Sequence, residues 1–189
     1  MRKIVMNRRL FMGFGVAALL PAPAMAAQKK KKKAPVVTYR GYEYVEFRTP
    51  ERPGTVIINT RQRALYYVLG DGEAIRYGVA VGKEGFDWAG IARVGMMREW
   101  PTWTPPKAMI QRKPELAEWA DGMPGGPGNP LGSRAIYLFD KKGDTGFRIH
   151  GTIEPWSIGT AASSGCIRML NEEVEELYDA VKVGAKVIV

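Results

Sequence analysis

From residue 42 onward the chain is a succession of short β-branched and aromatic runs broken by Gly, Asp, Asn and Pro. That spacing leaves little choice of architecture. Val, Ile, Tyr, Phe and Trp suit a pleated, half-buried surface, and the residues between them supply turns. Residues 42–47 alternate aromatic and acidic positions, and residues 55–59 (T-V-I-I-N) suit a short buried strand. Residues 64–69 (A-L-Y-Y-V-L) run into Gly70-Asp71-Gly72, which turns the chain into a strand over 74–81 and reads as an antiparallel meander. Further strands are expected at 91–97, 135–139 and 147–150. One segment carries a helical period instead. Asn171 is placed to cap it, Glu172 and Glu173 suit its positive end, and Val174, Leu177, Tyr178 and Val181 recur at i, i+3, i+4 and i+7. Gly184 and a closing strand over 186–189 follow. The expected fold is mainly β: a single sandwich or barrel-like domain over 41–189 with one or two short helices. The Pro-, Gly- and Trp-rich stretch 100–133 is long for a connection in a compact domain and reads either as a lid or wall beside a functional site or as the surface packing of a long connection.

Ahead of that domain, residues 1–26 read as an export signal. Arg2, Lys3, Arg8 and Arg9 form a basic region, and the apolar run 10–20 is too short to cross a bilayer, which takes about 20 residues. Ala24-Met25-Ala26 supplies a small–x–small cleavage pattern, so the mature chain is expected to begin near Ala27. N-R-R-L-F-M resembles a twin-arginine signal, which leaves the Sec and Tat routes both open. An uncleaved anchor is the other reading. Five consecutive lysines, Lys29 to Lys33, follow within 27–40. Like charges this close repel, so the segment is expected to be a disordered tether that either rests on anionic lipid or wall polymer or stays solvated.

The formal charge of +9 changes meaning once divided along the chain. Nine of the 28 basic groups lie in residues 1–33, leaving 19 against 19 acidic ones. A neutral folded part gives no support for nucleic-acid binding. Membrane contact is expected only through the signal or the tether.

The chain holds one cysteine, Cys166, and one histidine, His150. A lone cysteine is ordinarily a small buried hydrophobe, and a lone histidine a structural residue. Export alters that balance, because secreted proteins keep their thiols paired and an odd one suggests reactivity or an intermolecular disulfide. A free thiol has a pKa of about 8.5, so a neighbouring imidazole is what turns it into a thiolate nucleophile. His150 ends an expected strand and precedes Gly151; Cys166 ends Ser163-Ser164-Gly165-Cys166, where Gly165 permits close backbone approach. Thiolate attack on a peptide carbonyl gives an oxyanion and then a thioester, with backbone N–H groups near Cys166 as donors. Glu154 or a backbone carbonyl could orient the imidazole. One His and one Cys are too few for a zinc cage, and no cofactor is expected.

The segment I-H-G-T-I-E-P-W-S-I-G-T-A-A-S-S-G-C-I-R-M, with I-I-N-T-R-Q-R-A-L-Y-Y-V, P-T-W-T-P-P and N-P-L-G-S-R-A-I-Y-L in order, resembles the L,D-transpeptidase family and its YkuD domain over roughly 55–189. The resemblance implies a YkuD-type fold. It also implies an acyl-enzyme formed with the tetrapeptide stem of peptidoglycan, release of D-alanine, and transfer to a side-chain amine as a 3→3 crosslink. Residue by residue, it implies Cys166 as nucleophile and His150 as general base. Gly151 would orient the histidine, Gly165 and Cys166 would hold the oxyanion positions, and Arg168 and Thr152 would be substrate-binding. Ser164 stands where the family's usual S-H-G-C has histidine, and its hydroxyl can still donate a hydrogen bond. The family's T-P-x-G loop is not evident near residues 86–90. Stem peptides are the expected partners. Diamino acid, D-amino acid, envelope protein and water (an L,D-carboxypeptidase) all remain open as acceptors. A non-catalytic wall-binding scaffold is the alternative of a different class. The expected location is the periplasm or envelope of a Gram-negative bacterium.

Overall fold

The computed structural model describes residues 41–84 and 88–189. The expected export signal and tether lie outside the described residues, as do Phe86 and Asp87. In chain order the strands are β1 (Glu43–Glu46), β2 (Val56–Asn59), β3 (Ala64–Gly70), β4 (Glu73–Gly78), β5 (Val81–Gly82), β6 (Ile91–Glu99), β7 (Arg134–Asp140), β8 (Gly143–His150), β9 (Ala161–Ser163), β10 (Ile167–Arg168) and β11 (Lys186–Ile188). Two helices, α1 (Lys107–Arg112) and α2 (Asn171–Ala180), and two 3₁₀ turns complete the set.

A nine-stranded sheet runs β1-β4-β3-β2-β11-β6-β7-β8-β10, and β5 pairs with β9 separately. The meander β2-β3-β4 is antiparallel, as its sequence suggests. Asp71 and Gly72, both at positive φ, make the two-residue turn between β3 and β4. The sheet as a whole is mixed, because β11 lies parallel to β2 and β10 parallel to β8. The run 74–81, expected as one strand, is broken: Ala80 leaves the meander and exchanges two backbone hydrogen bonds with Arg168, each 2.9 Å. That bridge carries the chain after β4 back to β10 at the far edge, which gives the sheet its barrel-like curl.

The core takes one face of each strand: Val56, Leu65, Tyr77, Val94, Ile136, Leu138, Ile149 and Val187 are buried, and α2 adds Val174 and Leu177. Each such aliphatic side chain contributes about 1.5–3 kcal/mol on burial. α2 packs across β7 and β8. Its N-terminus differs from the sequence expectation. Leu170 occupies the cap position without a side-chain hydrogen bond, and Asn171 is the first helical residue. The Asn171 side chain points away from its own helix, as described below. Among the described residues no helix is long and apolar enough to cross a membrane.

The stretch 100–133 is ordered by a single buried amide. Asn129 Nδ2 donates to the carbonyls of Pro101, Met123 and Pro124, and its Oδ1 accepts from Leu131 N–H. Trp103 and Met123 exchange backbone bonds across the loop. One buried side chain thus closes the ends of a segment that composition alone presents as irregular.

Candidate active site

β8 and β10 run parallel, with Ile167 opposite Ile149 and Arg168 opposite His150. Ile149 and Ile167 are core residues. The two-residue period of a strand therefore sends Arg148, His150 and Arg168 to the other face. Cys166 immediately precedes β10, and the Arg148 backbone hydrogen-bonds its thiol. Continued by one residue, the β8–β10 pairing sets Cys166 beside Arg148, next to the Arg168–His150 pair, with Cys166 and His150 on a diagonal.

His150 is 4% exposed. Its Nδ1 lies 2.6 Å from the Gly151 carbonyl, so the ring donates there and its other nitrogen is left unprotonated. Glu154, the acidic candidate for that role, pairs elsewhere. Burial lowers the His150 pKa to about 4; the carbonyls of Gly151 and Leu131 favour the protonated ring, while the charges of Arg168 and Arg148 oppose it. Burial raises the Cys166 thiol, outweighing a hydrogen bond from the Arg148 backbone and the charges of Arg148 and Arg168. At neutral pH the resting pair is therefore a neutral thiol and a neutral imidazole, not a preformed thiolate.

The 163–166 turn is held from within. Ser163, 3% exposed, donates its hydroxyl to the Cys166 carbonyl at 2.6 Å and accepts from Gly165 N–H at 3.1 Å. Gly165, at φ +117°, occupies a conformation that disfavours any side chain. Its N–H is engaged by Ser163 Oγ, which leaves Cys166 N–H beside it as a further donor. Ser164 is exposed.

Gly151 is required sterically. A Cβ there would collide with Asn171 Oδ1, and a Cβ at Gly132 would meet the same atom. That oxygen accepts from Ser133 N–H at 3.2 Å and Thr152 N–H at 3.1 Å, tying the long loop and the residues after β8 to α2. Thr152 is 4% exposed, and its hydroxyl accepts from Glu154 N–H. It braces the turn after β8. Arg168 pairs with Glu154 at 2.5 Å.

Sequence reasoning overlooked Ser163, the Asn171 side chain and Arg148. Arg148 donates two hydrogen bonds to Asp144, at 2.7 and 2.8 Å, and lies over the Tyr137 ring at 4.2 Å. Glycine inside an apolar strand pattern, here Gly146, was the available signal of a bulge. Among the described residues no three His, Cys, Asp or Glu side chains gather as a metal site would require.

Comparison with known proteins agrees with this architecture. The family model of the L,D-transpeptidase catalytic domain, YkuD, matches residues 53–189. A putative L,D-transpeptidase encoded in the ATP synthase subunits region of Fuscovulum blasticum is 31% identical over 96% of this chain and 96% of that protein. The probable L,D-transpeptidase ErfK/SrfK of Escherichia coli is 31% identical over 70% of this chain, which spans only 42% of that protein's length. A solved Brucella melitensis structure, described as a probable carnitine operon oxidoreductase, is 50% identical with a TM-score of 0.56, covering 80% of this chain and 94% of that one. The strand-rich fold, the motif order and the family match together establish that the chain belongs to the L,D-transpeptidase family.

Proposed function

We propose that the chain is an exported, cysteine-dependent L,D-transpeptidase acting on peptidoglycan stem peptides. The Cys166 sulfur attacks the carbonyl carbon of the L,D-peptide bond of a tetrapeptide stem. Its proton passes to the free ring nitrogen of His150 and then to the departing D-alanine amine, leaving a thioester. The acceptor is an amine, on another stem in a 3→3 crosslink or on an envelope protein. It attacks the thioester, loses its proton to His150, and the thiol re-forms. Cys166 N–H, free of the bonds that engage Gly165, would meet the oxyanion; one such donor contributes about 3 kcal/mol. Export by residues 1–26 would deliver the domain to the envelope, with Lys29–Lys33 resting on anionic surfaces there.

What supports this reading is the pairing of β8, which ends in His150, with β10, which Cys166 immediately precedes, together with the bond of Nδ1 to the Gly151 carbonyl. The test incubates residues 27–189 with purified disaccharide-tetrapeptide and resolves products by mass spectrometry. A dimer lacking one D-alanine is expected, and Cys166→Ala and His150→Ala are expected to abolish it and carbapenem acylation alike. Tripeptide alone would mean that water is the acceptor. Unchanged substrate, with Cys166 still alkylated by a thiol reagent, would favour a protein acceptor or the scaffold reading.

A further inference from the structure

Arg148 is the strongest feature of the site that the reaction just described does not use. Its backbone hydrogen-bonds the Cys166 thiol, and its place in β8 puts it on the face of His150 and Arg168. Its guanidinium is heavily constrained. Nη1 and Nη2 bind the two oxygens of Asp144, Nη1 also donates to the Phe147 carbonyl at 2.9 Å, and the plane rests over Tyr137.

This clamp needs a specific backbone. Four residues of straight strand span about 13 Å, too far for Asp144 to grip Arg148 with both oxygens. The β7–β8 register shifts between Tyr137 and Phe139, where Gly146 takes φ +80° and Thr145 Oγ1 donates to the Leu138 carbonyl. That bulge turns Asp144 back toward Arg148. The Asp144 carboxylate adds a lock, since its Oδ1 also accepts from Gly146 N–H. Burial raises the Asp144 carboxyl, but its bonds to Arg148 and Gly146 lower it by more, so it stays ionised.

We propose that Arg148 is a positioning residue for the nucleophile, a cation locked in place by Asp144 and Tyr137 that favours the thiolate of Cys166 as it forms. The proposal rests on the reading of Cys166 as nucleophile. The charged and titratable groups around the sulfur are Arg148 and His150 from β8 and Arg168 from β10, with Asp144 and Glu154 as the arginines' counterions. The two arginines divide their influence by register. Arg148 acts more strongly on the Cys166 thiol than Arg168 does, whereas Arg168 acts more strongly on His150 than Arg148 does. One cation thus favours loss of the thiol proton, and the other adds to burial in holding the imidazole neutral and able to take it. When the proton crosses from sulfur to ring nitrogen, the new anion lies beside Arg148. A plain surface ion pair would need neither the bulge nor the aromatic platform.

The experiment measures the rate of iodoacetamide alkylation of Cys166 against pH in residues 27–189, with thermal unfolding as a fold control. In Arg148→Met the midpoint is expected to rise by about one pH unit, which slows alkylation at neutral pH about tenfold. Arg148→Lys should restore most of the shift. A midpoint equal to wild type in a folded Arg148→Met protein, whatever its melting temperature, overturns the proposal. Should Arg148→Met not fold, Asp144→Asn decides: leaving the guanidinium uncompensated is expected to lower the midpoint, and an unmoved midpoint overturns the proposal. Alkylation needs no peptidoglycan, so failure of the transpeptidase reading appears separately, as absent turnover by a wild-type protein whose Cys166 still titrates.

Discussion

Ser163 and Cys166 are joined by a 2.6 Å hydrogen bond from the serine hydroxyl to the cysteine carbonyl, and the same oxygen accepts from Gly165 N–H. A buried hydroxyl used in both directions defines the path of the backbone around the sulfur. Removing it leaves a buried N–H and a buried carbonyl without partners, each costing about 1–3 kcal/mol. Ser163→Ala is therefore expected to lower stability by about 2 kcal/mol and to slow carbapenem acylation by roughly tenfold or more. Ser163→Thr, which keeps the hydroxyl, should recover most of the acylation rate. Stopped-flow acylation beside urea unfolding separates the two effects, and acylation at the wild-type rate in Ser163→Ala would rule out this role for the turn.

Asn171 offers a second check on how the site is assembled. Its side-chain oxygen receives two backbone N–H groups, from Ser133 and Thr152. Asn171→Ala should lower stability by about 2–4 kcal/mol, because both donors lose their acceptor. An ordinary first-turn residue, by contrast, would cost well under 1 kcal/mol. Denaturant unfolding of the variant distinguishes these outcomes. Gly151→Ala should fail for the complementary reason, since its methyl group and the Asn171 oxygen compete for one space.

The proposed role of His150 as general base carries a pH dependence of activity. A base with a pKa of about 4 is already unprotonated throughout the neutral range. Acylation should lose its acid limb near pH 4 and show no inflection near 6.5, which a pH–rate profile of β-lactam acylation measures directly.

Stability should respond to pH through two buried groups of opposite sign. The unfolded imidazole titrates near 6.5 and the folded one near about 4, so the unfolded state binds more protons between those values. Stability from this group is complete above 6.5 and falls as pH drops toward 4, by about 3 kcal/mol in full. Glu173 is 4% exposed. Burial raises its pKa to about 7, opposed by Leu170 N–H and reinforced by Glu172 and Glu176. Here the folded state holds the proton. The contribution is complete below 4.5 and is lost as pH rises through 7, again by roughly 1–3 kcal/mol. Glu173→Gln should match wild type at pH 4 and exceed it at pH 8, and His150→Gln should flatten the acid slope. Urea midpoints across pH 4 to 8 check both signs.

Much of this molecule was legible in its sequence because the signals are local. β-branched runs and Asp-Gly turns act over two to seven residues, so the meander from β2 to β4, the strands β6 to β8 and the helix period of α2 could be read directly. The uniqueness of Cys166 and His150 singled them out before any geometry was known. Boundaries failed where a distant partner intervened. Ala80 left its expected strand because Arg168, far along the chain, supplied its hydrogen bonds. Asn171 gave up the cap position because two loop N–H groups offered its oxygen more than its own helix did.

The sequence by itself determined the chemistry on offer: a β-rich domain, one thiol, one imidazole and a glycine at each. Only the tertiary structure decided how that chemistry is set. The parallel pairing of β8 with β10 puts Arg148 beside Cys166 and Arg168 beside His150. Burial keeps thiol and imidazole neutral at rest, and a bulge in β8 gives Asp144 its grip on Arg148. Register, burial and bulge position depend on strands distant in the chain meeting in space. Hydrophobic period and turn chemistry describe each strand alone and carry no record of its neighbour.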